Sequence, residues 1–122
     1  MNVPIDVVFR STSAADPEAL RTYIALRLAF ALRRFENRAR RLVVRMGDTN
    51  GPRRGVDSRC SITLQMRDGR HIDVEPVTAW PFASVTLAAK RLNEALRREL
   101  EKAALSLRPR RPSRFDPESG VS

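Results

Sequence analysis

Side chains able to do covalent or metal chemistry are scarce in this chain. Cys60 is the single cysteine and His71 the single histidine. A Cys–His dyad needs both groups on one face, and the strand patterns around them predict opposite faces. Cys60 alternates in phase with Ile62, Leu64 and Met66, which marks it as a core residue. His71 is out of phase with Ile72 and Val74, which marks it as solvent-facing. Two residues are too few for a metal site. Asp48, Asp57, Asp68 and Asp73 lie near turn residues or at alternating strand positions, where a solvated role is the commoner one. The stretch from Gly47 to Gly55 is rich in glycine but is not followed by Lys-Ser/Thr, so it is no phosphate loop, and no dinucleotide fingerprint follows the first strand. These absences point away from an enzyme, with no cofactor, no metal and no small-molecule substrate expected.

What the chain has in quantity is arginine. Lys and Arg number 23 against 14 Asp and Glu, a formal net charge of +9 over 122 residues. The charge is segregated. Residues 20–45 hold eight Arg and one Glu, and residues 87–114 hold nine basic and three acidic residues. Residues 46–86 are balanced, with five Arg against five acids. Both basic segments read as largely helical, while the neutral middle reads as strands. Clustered Arg creates a field that attracts polyanions, and its planar fork matches phosphate oxygens. Nucleic-acid binding is therefore the expected activity class.

The elements that position these residues follow from hydrophobic periodicity. Val3, Ile5, Val7 and Phe9 alternate as a first strand, with Pro4 suited to an edge or a strand start. Asp16-Pro17-Glu18 is a helix start, with an N-cap, a proline at the first helical position and an acid in the first turn. The helix is predicted from Pro17 to about Phe35, with Leu20, Ile24, Leu28, Ala31 and Phe35 on one stripe. Leu26 and Phe30 lie off that stripe and give the helix an apolar excess, read either as packing on two partners or as a self-association face. Arg41–Met46 predicts a short second strand, followed by a long loop from Gly47 to Gly55. Arg59–Met66 alternates as a third strand. Asp68-Gly69 is a hairpin turn into a fourth, Arg70–Val77, with Ile72 and Val74 inward. A second helix is predicted from Pro81 to about Leu105. Val85, Ala88, Ala89, Leu92, Leu96 and Leu100 lie on one side of it, with Glu99 intruding among them. Lys90, Arg91, Glu94, Arg97, Arg98, Glu101 and Lys102 lie on the other.

This order predicts an α+β two-layer sandwich, β-α-β-β-β-α, with a four-stranded sheet and two helices on one face. The first two strands are expected parallel, the later ones an antiparallel meander, in outline similar to double-stranded-RNA-binding domains. Residues 1–107 form the expected domain. Residues 108–122 carry proline and charge without periodicity, and are expected to be a disordered basic tail. A lone cysteine excludes an intrachain disulfide, no signal peptide is evident, and the apolar run from Ile24 to Leu32 is interrupted by Arg27 and too short for a bilayer. A cytoplasmic protein without membrane contact is expected.

Several of these segments resemble a known family. Arg34-Phe35-Glu36-Asn37-Arg38, followed by R-L-V-V-R-M-G-D-T-N-G-P-R-R-G-V-D-S-R-C at 41–60, is similar to the ribosome hibernation-promoting factors, also called ribosome-associated inhibitors or sigma-54 modulation proteins. Members carry an R-F motif, a basic strand and a D-x-N-G-P-x-x-G-x-D-x-x-C loop. Pro81-Phe82-Ala83-Ser84-Val85 resembles the opening of the family's last helix. Arg91, Leu96 and Arg98 fall where the family has basic, apolar and basic residues. Trp80 stands where the family has Asp, Thr86 and Lys90 where acids are common, and Glu94 where a base is common.

The resemblance covers about Ile5 to Leu100 and is to the short form of the family. It implies a stress-response translation inhibitor on the small ribosomal subunit, bound to ribosomal RNA near the decoding region. Combined with the charge pattern, it nominates Arg27, Arg33, Arg34, Arg38 and Arg41 from the first helix and its exit. From the last helix it nominates Lys90, Arg91, Arg97, Arg98 and Lys102. A general RNA-binding module and a self-associating regulatory domain, with a homodimer through Leu26 and Phe30, are the alternative readings.

Overall fold

Alternation in I-D-V-V-F-R sets the first edge of the sheet. In the computed structural model, which describes residues 3–10, 16–48 and 57–107, β1 (Ile5–Arg10) half-buries Ile5, Val7 and Phe9 and exposes Asp6, Val8 and Arg10. Helix α1 (Pro17–Ala31) starts as its residues require. The Asp16 carboxylate accepts a hydrogen bond from the Ala19 amide at 3.0 Å, and Pro17 occupies the first turn. Leu20, Ile24, Leu28 and Ala31 are buried.

The helix stops four residues earlier than its apolar stripe predicts. After Leu32 the backbone tightens into three-residue hydrogen bonds, Arg33 to Phe30, Phe35 to Leu32 and Arg38 to Phe35. The side-chain amide of Asn93 donates to the Ala31 carbonyl at 2.8 Å, occupying an acceptor that a continuing helix would offer to the Phe35 amide. Phe35 is still buried, because the tightened turns swing it under the same core.

β2 (Ala39–Asp48) runs parallel to β1 and antiparallel to β3 (Ser58–Met66). It is longer than the expected 41–46 at both ends, and Gly47 and Asp48 belong to the strand rather than to a loop. A Cβ on Gly47 would meet the Arg10 carbonyl at 3.0 Å, so glycine permits the close approach to β1. The rest of the expected loop, 49–55, and the expected tail from residue 108 lie outside the described residues.

The hairpin turn at Asp68-Gly69 is present, with Gly69 at φ 93°. The expected fourth strand is split into β4 (His71–Val74) and β5 (Val77–Thr78), both paired with β3 in one continuous register. Pro76 causes the gap. It has no N–H to give β3, although its carbonyl accepts from Cys60 at 3.1 Å. The strand order is β1-β2-β3-β4, with β5 beside β3.

Helix α2 (Pro81–Leu107) buries Val85, Ala88, Ala89, Leu92 and Leu96. These side chains and those of α1 share one core with Leu42, Val44, Met46, Cys60, Ile62 and Leu64, so both helices cover the same sheet face. Tyr23 ties α1 to α2, bonding Thr86 at 2.6 Å and meeting the Phe82 ring edge-on at 5.2 Å. Cys60 is fully buried, and burial pushes its thiol pKa up to about 12, which keeps it protonated and inert at neutral pH. His71 is exposed on the other face.

Glu99, the acid among apolar positions, is explained by its partners. It accepts from Arg70 at 2.9 Å and lies 3.6 Å from Lys102, linking the hairpin to α2. Arg70 also holds Asp68 through hydrogen bonds that keep the Asp68 carboxyl below the usual carboxylate range.

The start of α2 lacks a capping carboxylate. The Trp80 carbonyl accepts from the Ser84 amide at 3.0 Å, which places Trp80 at the N-cap with its indole 72% exposed. Trp80→Asp is expected to raise unfolding stability by about 1 kcal/mol in urea titrations, because a side-chain acceptor and a negative charge then meet the free amides of the first turn. An unchanged midpoint would show those amides to be already satisfied.

Candidate nucleic-acid interface

Helical spacing sorts the α2 cations into two rows. Lys90 and Arg97, seven residues apart, border a groove between the helices, across from Arg27 and Phe30 of α1. The groove measures about 270 Å³, and Ala31 and Ala89 also line it. Arg91 and Arg98 form the second row and line a shallow depression toward β4, beside Asp73 and Glu75. Glu94 sits between the rows and lines both hollows. Arg33 and Arg34 project from the tightened turns after α1, with the Arg33 guanidinium 5.7 Å from the centre of the Phe30 ring. Arg38 is exposed where the turns enter β2.

Nine of the ten nominated cations therefore lie on the helices or the turn joining α1 to β2. Among the described residues, Arg27, Arg33, Arg34, Arg38, Lys90, Arg91, Arg97 and Arg98 make no ion pair. Lys102 lies near Glu99 and is exposed.

Arg41 is the exception. It belongs to β2, on the open sheet face opposite the helices, where its guanidinium is held by two hydrogen bonds to Asp6. Chain proximity alone groups it with the helix exit, but strand alternation turns it to the face opposite its buried neighbour Leu42. Reading Arg41 in alternation with buried Leu42 finds the right face.

The same open face holds cations that composition alone did not single out. Arg10, Arg45 and Arg59 surround a hollow of about 260 Å³ with Gly47, Asp48 and Glu75. Arg59 is paired with Glu75 at 3.2 Å. Arg41 and Arg45, four apart in a strand, carried the signal for an outward pair. Among the described residues no group of three His, Cys, Asp or Glu side chains converges, and no helix is long and apolar enough to cross a membrane.

Two solved structures align over most of the chain. The N-terminal domain of Protein Y from Thermus thermophilus matches with a TM-score of 0.61 and 23% identity, covering 80% of this chain and 98% of that one. A ribosomal subunit interface protein from Coxiella burnetii matches with a TM-score of 0.65 and 14% identity, covering 81% of this chain and 99% of that one. The chain has the Protein Y fold. No protein-family model matches the chain, and no curated protein matches it by sequence. The resemblance carried by the R-F motif, the loop at 48–60 and the start of α2 thus agrees with a shared fold at low sequence identity. On this fold, the exposed faces of α1 and α2 and the turn after α1 carry Arg27, Arg33, Arg34, Arg38, Arg91, Arg97 and Arg98, which have no ion pair among the described residues.

Proposed function

We propose that the chain is a ribosome-associated translation inhibitor of the hibernation type. In this reading it binds small-subunit ribosomal RNA near the decoding region and performs no chemistry of its own. The observation that carries the reading is the basic, largely unpaired surface on α1, α2 and the turn between α1 and β2, set on a fold shared with a ribosomal subunit interface protein. Arg27, Arg33, Arg34, Arg38, Lys90, Arg91, Arg97, Arg98 and Lys102 supply the phosphate contacts. Arg41, turned to the other face and held by Asp6, contributes little. Folded RNA presents phosphates on neighbouring strands, and two rows of cations on α2, with Arg27 of α1 across from one of them, suit such a surface better than a single groove does.

Co-sedimentation with purified small subunits, large subunits and a generic RNA duplex, at about 50 and 200 mM salt, tests the reading. Preferential pelleting with small subunits, weakening steeply with salt, is the expected result. Equal retention by the duplex indicates a general RNA-binding module instead, and absence of binding to all three removes RNA from the function.

A further inference from the structure

The interhelical groove has properties that phosphate binding does not require. Phe30 stands at it with its side chain 66% exposed, on a helix whose core stripe is filled by other residues. The groove sets three cations, Arg27, Lys90 and Arg97, against the single carboxylate of Glu94. Arg27 has its Nε atom buried without a hydrogen-bond partner among the described residues. That Nε is out of reach of an incoming oxygen, and the guanidinium leans over the Tyr23 ring, 6.0 Å from its centre, so the outer nitrogens of Arg27 are the ones left to meet a phosphate.

We propose that this groove seats an unpaired nucleotide of single-stranded RNA, with its base stacked on Phe30 and its phosphate held by Arg27, Lys90 and Arg97. This rests on the RNA-binding reading above and gives it a particular substrate feature, an exposed base rather than duplex backbone. The chemistry selects that occupant. An aromatic face beside cations is the arrangement that takes a stacked base and its phosphate together, and the Arg33 guanidinium, 5.7 Å from the ring centre over one face of Phe30, leaves the opposite face for the base. A volume of about 270 Å³ lies just below the usual range of ligand clefts and leaves room for no more than one nucleotide. A second copy of this chain is disfavoured by charge, since pairing the face with itself would oppose Arg27, Arg33, Lys90 and Arg97 with their own kind.

The test uses fluorescence anisotropy of the full chain with labelled oligoadenylate of about twelve nucleotides and a blunt RNA duplex of similar length. Phe30→Leu keeps the apolar character and removes the flat ring, whereas Phe30→Tyr keeps both. Phe30→Leu is expected to weaken oligoadenylate binding about ten-fold, with the salt dependence unchanged because every phosphate-binding cation is kept. Phe30→Tyr is expected to bind within about two-fold of the unmodified chain, and the duplex to be indifferent to both changes. Melting curves of both variants verify folding, which an exposed position should preserve.

Equal affinity of Phe30→Leu and Phe30→Tyr for oligoadenylate overturns the stacking proposal, as does a parallel loss for the duplex. If small subunits are still bound in either case, the ribosomal reading survives alone. If the unmodified chain binds neither RNA nor subunits, both fall together. A salt-resistant dimer by sedimentation equilibrium that Phe30→Lys dissolves would assign the face to a second copy and also overturn the proposal.

Discussion

Replacing Arg91, Arg97 and Arg98 together with Ala is expected to lower affinity for small subunits on the order of a hundred-fold, at roughly 1 kcal/mol for each phosphate left without its cation. The three side chains are exposed, occupy both rows of α2 and make no ion pair among the described residues, so the fold should tolerate their removal. The second signature is the salt slope. Each neutralised phosphate adds about 0.7 to 0.9 to the slope of log affinity against log salt, so the triple variant should be flatter by about 2 to 3. Arg41→Ala provides the control, because that side chain lies on the other face, held by Asp6. Affinity and slope both unchanged in the triple variant, or an equal loss in Arg41→Ala, would move the binding surface off the helices.

The largest expected effect on stability comes from the layer between helices and sheet. Leu92 is fully buried in α2 and belongs to the cluster that contains Ile24, Leu28, Ile62 and Leu64. Leu92→Ala strips apolar packing from this layer and leaves a cavity that rigid neighbours on both sides can fill only in part, at a cost of about 2 to 5 kcal/mol. Against a total of about 5 to 15 kcal/mol for a typical domain, this should bring the urea midpoint down sharply. Loss of subunit binding in this variant would follow unfolding and disappear at low temperature if the native state is regained. A shift below about 1 kcal/mol would mean that the helical layer packs less tightly than its burial implies.

Much of the fold was legible because its elements are locally self-consistent. The Asp16 cap, the Pro17 start and the stripe from Leu20 to Ala31 all specify one helix in one phase, and the alternation from Cys60 to Met66 specifies one buried strand face. The same alternation put Cys60 in the core and His71 in solvent, as the structure has them. The errors have a common origin in partners distant in sequence. The end of α1 at Ala31 depends on the Asn93 amide, sixty-two residues away. The break at Pro76 matters only because that residue lies opposite Cys60, whose ladder needs a donor that proline lacks. The role of Glu99 depends on Arg70 across the hairpin.

The candidate site divides along the same line. By itself the sequence determined that the chain is strongly basic, that its charge is concentrated in two largely helical segments, and that the apolar sides of those helices bury. Composition and period, which require only local geometry, are enough for that. Only the tertiary structure decided which cations share a surface. It brought Arg27 of α1 alongside Lys90 and Arg97 of α2 and left Phe30 exposed beside them. It paired Arg41 of β2 with Asp6 of β1, thirty-five residues away. The physical reason is that a helix or strand sets the direction of each side chain relative to its own axis, while the groove between two helices exists only once their apolar faces have packed on the sheet and fixed their spacing.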